Sequence, residues 1–427
     1  MKKIIAIASI YILFSNNGFA QDGMSGYFMQ NTLQRSHFNP AFYDDTRVNI
    51  SIGNLSASLT NTSDNWLSQT TENDEGVTIV DLNAIEREDS ETFGYFDVGT
   101  IELSFRVDST LYINAGHRIE GDIFAFISRD MVNLALDGNA PYIGQTLELA
   151  PDFRTNIYSS LYLGFAKKLG NIDIGARMSY LSGLQNFSVE SSQLNVTTSD
   201  EFYQLQFDND FRFNSSGGIV YNSLDDIESD FEGASFGANS GIAFDLGLVI
   251  RLTDNLTVSA SAIDLGSITW SDDPQNFSST GSFEYDGVNI EDFIDDDVEI
   301  ELTDSLKNLL NIVETNNEYS TSIAARYLLG AEYVLNNKFR FGGVVSLRDI
   351  HDTQTYSLGL NASARLTSFW DLGIIYSTRP SNTFNLGLHT SLNLGPIQFL
   401  LASDNIFGLD ISESTSAHFR TGLAVRI

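Results

Sequence analysis

The chain has 427 residues with no cysteine, 6 prolines, 33 glycines and 30 phenylalanines, which excludes disulfide-stapled, collagen-like and low-complexity classes. Lys and Arg total 23 against 56 Asp and Glu, giving a formal charge of −33 that argues against any nucleic-acid partner. An apolar fraction of 42% is too high for disorder, and the polar balance is too high for a bundle of membrane helices.

In chain order, the first element is a leader. Met1, Lys2 and Lys3 supply positive charge, Ile4 to Phe14 is largely apolar, and Gly18 and Ala20 place small residues ahead of a cut before Gln21. Residues 1–20 are therefore expected to be a secretory signal peptide, with an apolar core too short to span a bilayer. No cysteine stands at the cut, so a lipid-anchored precursor is not expected. Residues 21–46 precede the first strand and contain Asn39, Pro40, Ala41 and Phe42; this stretch is expected to be a plug in a lumen or a periplasmic segment.

From residue 47 the pattern is alternation. Val48 to Leu59 opens it, and Ile101, Leu103 and Phe105 then alternate with Glu102, Ser104 and Arg106. Leu111 to Ile119 follows, and Ser128 to Gly138 reads as a helix. Leu161, Leu163 and Phe165 alternate with Ser160, Tyr162 and Gly164, and past Gly170-Asn171 the apolar face resumes at Ile172, Ile174 and Ala176, the spacing of a tight hairpin. Strands are expected over Tyr203 to Phe213, Ile242 to Ile250 and Leu256 to Trp270; the last slips phase near Asp264-Leu265-Gly266, which predicts a bulge that deforms the wall without further role. Leu302 to Glu314 reads as a second helix, with Leu306, Leu309, Leu310 and Val313 as its stripe. Alternation then returns over Ala325 to Leu335, Phe339 to Leu347, Tyr356 to Leu366, Trp370 to Tyr376, Phe384 to Leu394 and Phe419 to Ile427.

Strand length selects the architecture. Sandwich strands usually run five or six residues, whereas many here reach about ten, the length that crosses a bilayer at a tilt. One end of each hairpin is short, and the other carries long acidic inserts near 61–94, 215–239 and 271–319. The expected fold is all-β, a transmembrane antiparallel up-and-down β-barrel of about 14 strands, within about 12 to 16, in the outer membrane of a Gram-negative cell.

Several segments carry a resemblance. Phe28-Met29-Gln30-Asn31, His37 to Phe42, Asn239 to Gly247 including Asp245, Asp264 to Trp270, and Ser403 to Ile406 occur in an order that resembles a Bacteroidota family of uncharacterised outer-membrane proteins, known as a domain of unknown function. More distantly the chain is similar to the PorP/SprF proteins associated with type IX secretion and gliding, and to long-chain fatty-acid transporter barrels. The resemblance implies a barrel of about fourteen strands with an N-terminal lumenal segment and implies no substrate. The Asn-Pro-Ala element is similar to one in the fatty-acid transporter type; no other residue is carried over as a ligand site.

Chemistry-bearing patterns are sparse. The five histidines, His37, His117, His351, His389 and His418, show no metal-ligand spacing, and no cofactor or metal is expected. His389 falls on a lumen-facing phase, which leaves a Ser-His pair on a barrel wall open as a lipid hydrolase alternative; the expectation is that the chain is not an enzyme. Asp295-Asp296-Asp297 and its acidic neighbours read as a solvated outer loop rather than a Ca²⁺ loop. The candidate positions are thus Asn39 to Phe42 for a plug motif, and Asp245, Asp264, Gly266 and His389 for lumen or bulge positions. The expected function is a conduit or binding barrel for a small hydrophobic molecule, in contact with outer-membrane lipid. The alternative is a secretion- or gliding-linked scaffold for other envelope proteins.

Overall fold

The computed structural model describes residues 23–427 apart from 63–69, 73–77, 81–87, 202, 218, 224–225, 230–235, 286–310, 337, 351–352, 379–383 and 410–414. The leader over 1–20, most of the helix expected over 302–314, His351 and the acidic run around 291–301 lie outside the described residues.

Fourteen strands close on themselves: β1 (Val48–Asn61), β2 (Ser90–Arg106), β3 (Leu111–Ile127), β4 (Asp152–Leu169), β5 (Ile172–Thr198), β6 (Asn239–Arg251), β7 (Leu256–Trp270), β8 (Arg326–Leu335), β9 (Phe339–Ile350), β10 (Thr353–Arg365), β11 (Trp370–Thr378), β12 (Asn385–Leu394), β13 (Ile397–Ser403) and β14 (Ser416–Arg426). Each pairs antiparallel with its sequence neighbour, and β1 completes the ring by pairing with both β2 and β14, so that Ile50 faces Leu103 on one side and Val425 on the other. Closure leaves no free edge in the ring, which is how an antiparallel sheet of this size satisfies its backbone donors and acceptors. The described prolines, Pro40, Pro141, Pro151, Pro274 and Pro396, all lie outside the strands, where the missing N–H breaks no ladder.

Alternation becomes a two-sided wall. The outward phase exposes Ile101, Leu103 and Phe105 on β2, Leu161, Leu163 and Phe165 on β4, Leu329 on β8, and Phe399 and Leu401 on β13; Leu163 and Leu329 are 63% and 65% exposed. The inward phase buries Glu102, Ser104, Arg118, Arg177 and His389. At one end the connections are short, as at Gly170-Asn171 and Gly395-Pro396, where Gly170 and Gly395 take positive φ.

The other end carries an arm. The later part of β5 leaves the ring and pairs with Leu205–Ser216, which pairs with Gln275–Tyr285, which pairs with Val313–Thr315. This corrects three sequence expectations. The strand expected over Tyr203 to Phe213 belongs to the arm rather than to the wall; the inserts 215–239 and 271–319 contain strand rather than loop alone; and Val313 pairs opposite Ser278 instead of joining a helical stripe. The short apolar run could serve either period, and pairing with a neighbouring strand settled it. Helix α1 (Arg129–Asp137) does form, capped by Ser128 Oγ accepting from Met131 N and ended by Gly138 at positive φ.

The ring is not hollow. Residues 23–42 run inside it, and Met24, Tyr27, Phe28, Phe38, Ala41 and Phe42 pack against Val249, Ile263, Leu328, Val344 and Ile375 of β6 to β11. Buried charges line β2, β3 and β5 at Glu102, Arg118 and Arg177.

Candidate functional site

Close backbone approach seats the inner segment. Asn39 is fully buried; its Nδ2 donates to the carbonyls of Leu248 and Ala260, and its Oδ1 accepts from Ala41 N at 2.9 Å, so one side chain fixes the turn and ties it to β6 and β7. Pro40 and Ala41 lie where a Cβ on Gly175 or Gly247 would stand, and only glycine at these two positions permits that contact. Further along, Arg35 donates from Nε to Tyr27 O at 2.7 Å and from Nη1 to Gln30 Oε1 at 2.6 Å, stacks over Phe42 at 3.8 Å and pairs with Glu332 of β8.

His37 faces the buried charges of β2 and β5. Arg177 Nη1 donates to its Nδ1 at 3.0 Å, and its Nε2 lies 2.6 Å from Glu102 Oε1, so the proton sits on Nε2 and the ring is neutral. Burial first, and then the charge of Arg118, holds its pKa down to about 4, with Glu102 opposing. Beyond it, Arg118 grips Asp97 through two bonds and approaches Glu120 at 3.5 Å.

The wall itself is interrupted beside this layer. On β6, Asp245 stands opposite two residues of β7, Ile263 and Asp264, and Asp264 takes φ 60°. Asp264 N donates to Asp245 Oδ1 at 2.8 Å; Arg326 Nη2 donates to Asp264 Oδ2 at 3.1 Å, and Arg177 lies 3.4 Å from Asp245. The ladder between β7 and β8 stops at Ile263–Arg326 and resumes only at Ser267–Ser322, where the chain leading into β8 pairs again. Across the interval Ile323 N donates to Gly266 O at 3.1 Å.

Two clefts open at the arm end. One, of about 690 Å³, is lined by Leu265, Gly266, Ile323, Arg154, Glu190 and Asp349, and so includes the interrupted wall. The other, of about 540 Å³, is walled by Phe126, Ile127, Phe153, Phe187, Phe211 and Phe213. Phe187 and Phe213 stack at 5.3 Å, and Phe213 stacks on Phe277 at 4.8 Å, so the arm supplies a rigid aromatic face. Val189 belongs to the lining of both.

Of the positions singled out in the sequence, the structure brings together Asp245, Asp264 and Gly266 at the wall interruption, and places Asn39 to Phe42 inside the ring against β5, β6 and β7. His389 is elsewhere, on β12, bonded through Nε2 to Asn361 Oδ1 at 2.8 Å. A Ser-His contact does occur, at a residue sequence reasoning passed over: His117 Nε2 meets Ser159 Oγ at 2.7 Å and its Nδ1 meets Thr100 Oγ1 at 2.8 Å. These groups satisfy one another within the wall. The buried charges Glu102, Arg118 and Arg177 were also passed over as site residues, though an inward-phase charge between lipophilic neighbours was a visible signal. Among the described residues no group of three or more His, Asp or Glu side chains is placed to hold a metal ion.

Residues 40–404 match DUF5723, a family of unknown function. No curated protein matches the chain. Among solved structures, a Pseudomonas aeruginosa FadL homologue is similar at 11% identity over 96% of this chain and 98% of that one, with a TM-score of 0.46. The Ralstonia pickettii toluene transporter TbuX (9% identity, 96% and 95% covered, TM-score 0.43) and the P. putida toluene transporter TodX (10%, 93% and 94%, 0.44) are similar to a like degree.

Proposed function

The chain belongs to DUF5723, and from its own geometry we propose that it is an outer-membrane barrel that takes a small apolar molecule at its arm end. The outward belt of Leu, Ile and Phe supports the membrane part of this reading. An exposed apolar surface that encircles a closed antiparallel ring is stable against acyl chains and a liability in water. The signal peptide expected over residues 1–20 would supply export, and the arm would face the exterior.

The observation that carries the ligand reading is the aromatic cleft. A space of about 540 Å³ walled by Phe126, Phe153, Phe187, Phe211 and Phe213 matches the size and chemistry of a small-molecule site. Its neighbour reaches the wall interruption at Gly266 and Ile323, which would offer a sideways route past the packed segment of residues 23–42.

The test is binding of the apolar fluorophore N-phenyl-1-naphthylamine to the purified mature protein in nanodiscs. Saturable binding that weakens about tenfold in Phe187→Ala is expected, since deleting a phenyl contact costs about 1.5 kcal/mol or more. Signal equal to that of empty nanodiscs would overturn the ligand reading, and a mature chain that stays monomeric in water without detergent would overturn the membrane reading.

A further inference from the structure

The two clefts at the arm end differ in chemistry but share a wall, and we infer that together they select an amphiphile with a positively charged head over one with a carboxylate head. This inference rests on the ligand reading above and names the class of ligand.

The apolar cleft accounts for the tail. Its lining includes Phe126, Phe153, Phe187, Phe211 and Phe213, and Val189 lines both spaces, which makes them neighbours. That second space is lined by Ser188, Asn214, Ser320, Thr321 and Ser322, hydrogen-bonding groups suited to a polar head. Its charged lining consists of Arg154, Glu190 and Asp349. Arg154 is already neutralised: its Nε lies 2.9 and 3.1 Å from the two carboxylate oxygens of Asp152, and its Nη2 donates to Oδ2 at 2.8 Å. Glu190 and Asp349 therefore set the sign.

Backbone pairing places both carboxylates at the cleft. Glu190 is the extra residue where the pairing of β5 with Leu205–Ser216 jumps from Val189 to Ser191, and its Oε1 accepts from Asn214 Nδ2 at 3.0 Å. Asp349 is held at the wall interruption, its N donating to Ala325 O at 2.8 Å. An anionic head entering this space meets two carboxylates and a cation that is already paired, whereas an ammonium head gains both attractions. The chain's formal charge of −33 biases approach in the same direction.

The experiment displaces N-phenyl-1-naphthylamine from the mature protein in uncharged nanodiscs at pH 7.5, using decylamine and decanoate, which share one tail. Decylamine is expected to displace the probe at a concentration at least tenfold lower than decanoate. In the double variant Glu190→Gln, Asp349→Asn this preference should fall to about twofold, and in Glu190→Lys it should reverse. As a control for general acidity, Asp130→Asn on α1 should keep the preference. Equal displacement by the two compounds in the unmodified protein would overturn the inference and leave the ligand reading standing, as would a preference that persists in the double variant. Absence of probe binding would overturn both.

Discussion

Arg177 of β5 donates a hydrogen bond to Nδ1 of His37 at 3.0 Å, so the imidazole that faces Glu102 is read by a guanidinium on its other side. A proton added at Nδ1 would remove that acceptor and set two positive groups against each other. The unfolded chain takes up a proton near the ordinary histidine value of 6.5, whereas the folded chain resists until about pH 4. Between these values the unfolded state binds more protons, so the His37 contribution to stability is intact above about pH 6.5 and is lost as the pH falls toward 4. Thermal midpoints of the detergent-solubilised protein from pH 4 to 8 should show this slope, and His37→Gln should flatten it. Identical slopes in both proteins would refute the assignment.

Gly175 makes room for Pro40 and Ala41. Gly175→Val should destabilise by about 1–3 kcal/mol through forced overpacking. The ring should still form, because the lost contact is with the inner segment. Limited proteolysis followed by mass spectrometry should then find cuts within residues 23–46 that are absent in the unmodified protein. Gly94→Ala, where the added carbon meets only ordinary contacts, should show no such cuts.

Arg35 and Glu332 join the inner segment to β8, with side chains 13% and 14% exposed. Removing one partner strands the other in a largely dry site, so Arg35→Leu should cost about 3–5 kcal/mol in chemical denaturation. The double variant Arg35→Leu, Glu332→Leu should recover part of this loss. A double variant as unstable as the sum of the singles would mean the two residues do not act as a pair.

Asp264 holds φ at 60°, a conformation that Asn and Asp tolerate and β-branched residues do not. Asp264→Val should therefore cost about 2 kcal/mol, combining backbone strain with loss of the Arg326 contact, while Asp264→Asn should cost less than about 1 kcal/mol. Equal losses in the two variants would show that the backbone conformation contributes nothing.

Much of the fold was legible because its period is two. The alternation of Ile101, Leu103 and Phe105 with Glu102 and Ser104 fixes both strand type and which face is apolar, and a one-residue slip would turn every side chain over. The slip at Asp264 was legible for the same reason, since a phase change in an otherwise regular run marks an extra residue. The site was less legible. Phe187 and Phe213 are far apart in sequence and on different strands; nothing in either run says that they stack. Nor does the sequence say that Tyr203 to Phe213 leaves the wall, because an arm strand and a wall strand share one local pattern.

The sequence by itself determined a strand-built chain, one greasy face and one polar face, the short turns and the place where the pattern slips, because each follows from the order of side chains along a pleated backbone. The tertiary structure alone decided that fourteen of these strands form the ring, that residues 23–42 pack against its inner wall, and that Glu190 and Asp349 share a cleft beside an aromatic one. Those outcomes depend on register and closure between segments far apart in the chain, which no local period encodes.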